Sequence, residues 1–197
     1  MKKTVILAAA AMCAGSAAAE SVMTFESLSS SISSRQNLGS LYTEAGFQLF
    51  AEPASNFATA GANDAVFYAG SSALHNAFLS GDTRLTRVGG GAFSFLSIKL
   101  SMLSSLATGT APVTFEGTTS GGQTLTHTVV VDHFGFVEYT LPATWTDLTQ
   151  VRWEQQSAFH QFDDVRVSPL TDPIIPAPHA AAMGVLGLGG LAARRRR

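Results

Sequence analysis

The sequence holds one cysteine, Cys13, in 197 residues, and it lies in a leader-like stretch. The body therefore has no cysteine nucleophile, no cysteine-ligated zinc and no disulfide. Lysine is almost missing as well; beyond Lys2 and Lys3 only Lys99 remains. Long apolar runs are lacking too. Residues 5–14 and 180–193 each fall short of the about 20 residues that span a bilayer. The body carries six basic groups against fourteen acidic ones between Glu20 and Asp172, a net charge of −8. Nucleic acid demands a basic footprint, so that class of partner is excluded. Divalent cations remain compatible. No Gly-x-Ser-x-Gly, His-Glu-x-x-His or phosphate-loop pattern occurs.

What is present begins at the ends. "MKKTVILAAAAMCAGSAAAE" has a basic start at Lys2 and Lys3, an apolar run, and Ala17-Ala18-Ala19 before Glu20. That is a secretory signal peptide over 1–19, a substrate for signal peptidase. At the other end, "PAPHAAAMGVLGLGGLAARRRR" joins a proline pair to an apolar, glycine-punctuated run and an arginine block. Arginine clusters stay on the cytoplasmic side, so the run acts as a stop that leaves the body outside. The expected organisation is a body over 20–168, a linker over 169–179, and a hydrophobic helix with its arginine tail over 180–197.

This three-part end resembles the PEP-CTERM sorting signal. The motif residues are Pro176, Ala177 and Pro178, followed by Arg194, Arg195, Arg196 and Arg197. Alanine at 177 departs from the family's usual glutamate. The resemblance implies a transient inner-membrane anchor and removal of the tail by an exosortase-type transpeptidase. The protein would then reach the surface or extracellular matrix of a bacterium with an outer membrane, in association with exopolysaccharide.

The body reads as strands. "FSFLSIKLSM" places Leu96, Ile98, Leu100 and Met102 on one face and Ser97, Lys99 and Ser101 on the other. In "PVTFEG" Val113 and Phe115 share a face. In "TLTHTVVV" the threonines oppose Leu125, His127, Val129 and Val131. "GFVEYTL", "TQVRWEQ" and "FHQFDDVRV" continue the alternation, with Val151, Trp153, Val165 and Val167 as core positions. Such period-two patterning with Gly and Asp turns predicts an antiparallel all-β fold of eight or nine strands, a two-sheet jelly-roll sandwich. The serine-rich stretch 27–42 reads as a loop or one short helix. In the order of its segments the body resembles the galactose-binding-like sandwiches used by carbohydrate-binding modules.

Candidate chemistry is sparse. Glu116, Glu138 and Glu154 alternate with apolar residues and read as a solvated sheet face, not a hydrolytic pair. His127 lies on the apolar face of its strand, and His133 sits in a turn beside Asp132. By alternation Asp163 shares a face with Val165 and Val167, where a carboxylate is costly unless paired or coordinated. It caps a turn or meets Arg35 or Arg166, or it holds a structural calcium with Asp164 and the first-strand Glu26, as the sandwich resemblance implies. Sugar-stacking candidates are Trp145 in a loop, Phe159 with His160, and Tyr68. The leading reading is an exported, non-enzymatic surface or matrix protein. The alternatives are a carbohydrate-binding module with a defined glycan and, third, a secreted hydrolase.

Overall fold

The computed structural model describes residues 19–52, 55–156 and 158–170. The signal peptide, apart from its last residue, lies outside the described residues. So do the Pro176-Ala177-Pro178 motif, the expected helix and Arg194 to Arg197. Among the described residues no helix is long and apolar enough to cross a membrane.

The described residues form β1 (Ser21–Met23), β2 (Arg35–Gly39), β3 (Leu41–Glu44), β4 (Phe47–Glu52), β5 (Phe57–Ala60), β6 (His75–Asn76) and β7 (Asp82–Arg87). They continue with β8 (Phe93–Met102), β9 (Ala111–Thr119), β10 (Thr124–Val131), β11 (Val137–Thr140), β12 (Leu148–Glu154) and β13 (His160–Pro169). The stretch expected as a loop or helix instead holds a three-residue 3-10 turn, Glu26–Leu28, then β2 and the start of β3.

Pairing is antiparallel throughout the described strands. The main sheet has ten strands in two wings. One wing runs β10-β9-β12-β7-β4-β3 and the other β1-β13-β8-β11. They meet at one corner through the Leu148–Phe93 bridge. A smaller sheet, β2-β5-β6, is fastened to the second wing by the Leu74–Phe162 bridge. The first and last strands lie side by side, with Met23 opposite Val165. This is the expected all-β sandwich.

Aromatic contacts between the wings fill the core. Trp153 of β12 meets Phe162 of β13 edge-on at 5.2 Å and stacks on Phe95 of β8 at 6.5 Å and 13°. Phe95 also meets Phe115 of β9 at 5.6 Å. Ile98, Leu100, Val113, Phe115, Val151, Trp153, Val165 and Val167 are buried as the alternation predicts. Leu96 and Val129 are only half-buried. Val129 sits on the edge strand β10, whose inner side is the rim of the core. Leu96 is displaced by a bulge: Arg166 faces Ser97 while Val167 faces Phe95, so β8 carries one extra residue there. The inward set is therefore Phe93 and Phe95 before the bulge and Ile98, Leu100 and Met102 after it.

The bulge also changes the reading of Ser97. Alternation leaves it on a solvent face, yet it is buried beneath Glu138, to which its hydroxyl donates at 2.6 Å. Arg166 lies over the same carboxylate and also binds Glu20.

A second bulge corrects Asp163. Its pairing partner is Lys99, whereas Arg166 faces Ser97, so β13 has one extra residue between them. Asp164 supplies it, at φ 42. Asp163 therefore shares a face with Lys99, not with Val165. It is buried by the neighbouring segment, whose Ser71 hydroxyl donates to it at 2.5 Å.

Candidate functional site

The outer face of the six-stranded wing is built by the same alternation that makes the core. Along β12, Val151 and Trp153 point in, so Gln150, Arg152 and Glu154 point out. Along β7, Thr83 and Leu85 are buried and Asp82, Arg84 and Thr86 face outward. Register then aligns three rows across four strands. The first is Thr114, Glu154, Asp82 and Glu52; the second is Glu116, Arg152, Arg84 and Phe50. The third is Thr118, Gln150, Thr86 and Gln48. At about 4.8 Å between strands, the six strands span about 24 Å from β10 to β3.

The rows hold one another in place. Glu154, Asp82 and Glu52 are like charges directly opposite, which destabilises a sheet. The arginines of the next row relieve this diagonally. Arg84 Nε and Nη2 donate to Glu52 Oε1 at 3.0 and 2.6 Å, and Arg152 Nη2 donates to Asp82. The Arg84 guanidinium also lies over the Phe50 ring at 4.4 Å. In the neutral row, Gln150 and Gln48 each donate to a threonine hydroxyl at 3.2 Å. Thr114 and Thr128 share a hydrogen bond of 2.9 Å.

A shallow depression of about 340 Å³ opens between Asp82, Thr114, Glu116, Arg152, Glu154 and Gln156. No interaction within the described residues engages the side chains of Glu116, Glu154 or Gln156. The Nε of Arg152 is likewise a buried donor with no partner. The face thus offers fixed donors and acceptors side by side, several of them unsatisfied. It has no nucleophile–base pair.

The residues singled out from sequence lie elsewhere. Trp145 is 3% exposed and packs on Phe95 and His127, so it is a core residue rather than a loop platform. The main-chain bond from Phe95 N to Trp145 O pulls its loop against β8. His160 is buried too, and burial pushes its pKa down to about 4. His75 is lowered to about 3 by burial, then by Arg35 and His160. Phe159 and Tyr68 are half-buried. Phe159 meets the 103–105 loop through Leu103 N to Phe159 O, and the segment that leads to Tyr68 meets it through Ser105 N to Val66 O. Phe95, which anchors Trp145, and Leu103 are about 25 Å of strand apart, so these aromatics do not share one surface.

The calcium candidates do not gather either. Glu26 is exposed on the 3-10 turn, and Asp164 pairs with Lys99 at 2.6 Å. Asp163 accepts from Ser71 and from the Asp164 main chain at 2.7 Å. Among the described residues no three carboxylate, histidine or cysteine groups are arranged as metal ligands.

No protein-family model matches the chain, and no curated protein matches it by sequence. Solved structures similar to it include the family 11 carbohydrate-binding module of Clostridium thermocellum in complex with a β-1,3-1,4-mixed-linked tetrasaccharide. That pair is 6% identical with a TM-score of 0.38, over 71% of this chain and 98% of the other. Another is the CBM22-1 xylan-binding domain of Paenibacillus barcinonensis Xyn10C, at 12% identity and TM-score 0.40, over 81% of this chain and 100% of that one. The CBM22-1–CBM22-2 tandem of the same enzyme gives 14% and 0.42, over 83% and 49%. The fold of the present chain is assigned from its own strand pairing.

Proposed function

We propose that the outer face of the six-stranded wing binds a glycan and that the domain is a non-catalytic binding module. One observation carries this reading. The face is a broad, polar, mutually braced surface on rigid strands, with unsatisfied donors and acceptors around Arg152. Sugar hydroxyls both donate and accept, so they match such a surface better than an apolar ligand or a single ion would. Sites on strands hold their geometry better than sites on loops. The bracing ion pairs fix the side chains before binding, which lowers the entropy cost of association.

The test is binding of the full chain to a polysaccharide panel, with Arg152→Ala alongside. Losing the arginine removes donors from the depression and leaves Asp82 unpaired. Affinity should fall at least about tenfold, a loss of 1.4 kcal/mol. Unchanged binding by Arg152→Ala would remove the face from consideration. Release of new reducing ends from a bound polysaccharide would make the protein a hydrolase instead.

Export and sorting complete the proposal, and their support is the sequence pattern of the two ends. The chain recovered from its native host should begin near Glu20 and end near the Pro176-Ala177-Pro178 motif. A surface-located chain that keeps Arg194 to Arg197 by intact mass would defeat the sorting reading.

A further inference from the structure

Phe78 is the most exposed aromatic side chain among the described residues, at 52% exposure. It stands at the first position of a tight turn, where Gly81 N donates to Phe78 O at 3.1 Å. Leu79, at 56% exposure, and Ser80 form the tip. Ser80 takes φ 60, a left-handed conformation that turns usually reserve for glycine or asparagine. Apolar residues at a tip with this backbone are unexpected on local grounds.

The surroundings hold the turn firmly. Asn76, buried at its base, accepts from Phe78 N at 3.1 Å and donates to Asp82 O at 3.0 Å. Ser80 N donates to Gln155 O at 2.7 Å, and Gln155 N donates to Gly81 O at 2.9 Å. A Cβ on Gly81 would stand 2.4 Å from the Asn76 side-chain oxygen, so the turn is packed against its base without slack. These anchors are direct sequence neighbours of the depression. Asp82 follows Gly81, and Glu154 and Gln156 flank Gln155. The turn therefore adjoins the Asp82–Glu154 end of the polar face without lining the depression itself.

On that face itself the outward aromatic, Phe50, is half-buried and has Arg84 over its ring. Phe78 has no such cover. We infer that Phe78 is an end platform of the binding face, stacking against the apolar C–H side of a pyranose ring one or more units beyond those seated at Arg152. This rests on the glycan reading above. An aromatic ring presents a weakly negative face that attracts polarised C–H groups and sheds its own hydration on stacking. The rigid turn means that little conformational freedom is lost when the sugar arrives. Polar rows then orient the chain while Phe78 measures its length.

The experiment compares Phe78→Ala, Phe78→Trp and Arg152→Ala in the full chain. The probes are cello-, xylo- and N-acetylglucosamine oligosaccharides of three and six units, titrated by calorimetry. Phe78→Ala should weaken binding of the six-unit ligand about tenfold, the scale of one aromatic anchor. It should leave the three-unit ligand unchanged, and Phe78→Trp should retain six-unit binding. Arg152→Ala should weaken both lengths. If Arg152→Ala weakens binding and Phe78→Ala changes neither length, the end platform is wrong while the face stands. An equal loss at both lengths on Phe78→Ala also overturns the end placement. If neither variant alters binding, or no probe binds, the glycan reading of the face falls with it. A fall in molecular mass from dimer to monomer on Phe78→Ala would assign the turn to a second copy of the chain instead.

Discussion

Trp153→Ala is expected to cost about 3 to 5 kcal/mol, the usual loss when a large buried aromatic is truncated. The chain offers several reasons to expect the upper half of that range. Trp153 touches both wings, with Phe115 at 5.6 Å on its own side and Phe95 and Phe162 across the core. It is 2% exposed, and strands on both sides fix the surrounding rings, so the cavity collapses poorly. A domain of this size has about 5 to 15 kcal/mol of stability in all. The melting temperature should drop by about 10 °C or more. Trp153→Phe is the informative partner. The indole N–H has no hydrogen-bond partner, and an orphaned buried donor carries a desolvation penalty of about 1 to 3 kcal/mol. Phenylalanine removes that donor while keeping a ring against Phe162. Its loss should therefore be well under half that of alanine. Equal losses for the two variants in thermal and urea denaturation would mean that the stacked cluster does not hold the wings together.

That central tryptophan is legible in the sequence, because alternation from Gln150 onward in "QVRWEQ" puts Val151 and Trp153 together. β10 and β12 were legible for the same reason. What alternation cannot show is a place where it slips. Bulges at Leu96 and Asp164 each add one residue to one strand, and every side chain beyond changes face. Hence Leu96 for Phe95 in the core, and a buried Asp163 assigned to the wrong side. The early strands β2, β3, β5 and β6 are not legible because they are short and lie in a serine- and alanine-rich stretch with few β-branched residues. Strand β4 does alternate, with Phe47, Leu49 and Ala51 inward, but an outward Phe50 blurs the pattern. The polar face was half legible. Alternation puts Glu116 and Glu154 on a solvated side, but the rows are created by register between β4, β7, β9 and β12, which one-dimensional patterning does not contain. Trp145 failed as a platform because a loop position says nothing about which way a loop folds. Here the loop folds inward and lays the indole against His127. Phe78 is not legible as a platform because the Ser80-Gly81 pair marks a turn before β7 but does not say which side chains of that turn stay exposed.

Asp163→Asn is expected to stabilise the protein at neutral pH. Burial pushes the Asp163 carboxyl up to about 6, against the pull of Ser71, the Asp164 main chain and Lys99 in the other direction. Unfolded, an aspartate titrates near about 3.9. The folded value is the higher one. The group's contribution is therefore fully present below about pH 3.9 and is lost as pH rises through about 6. At pH 7 the native state carries a buried carboxylate that it would rather not ionise, at a cost on the order of 2 to 3 kcal/mol. Asparagine stays neutral at every pH. Its carbonyl still accepts from Asp164 N, and its amide can donate to the Ser71 hydroxyl, which accepts as readily as it donates. His75 and His160 act in the opposite sense. Burial lowers both, so their contribution is present above about 6.5 and is lost as pH falls through the folded values near about 3 and 4. Wild type and variant share those histidines, and the difference between them isolates Asp163. Urea denaturation at pH 4, 5, 6 and 7 should show curves that nearly coincide at pH 4 and separate progressively toward pH 7, the variant being the more stable. A gap that is constant with pH would mean the carboxyl titrates alike in both states. A variant less stable than wild type at pH 7 would mean Asp163 is held as an anion, and restoration of the wild-type advantage by added calcium alone would make it a cation ligand.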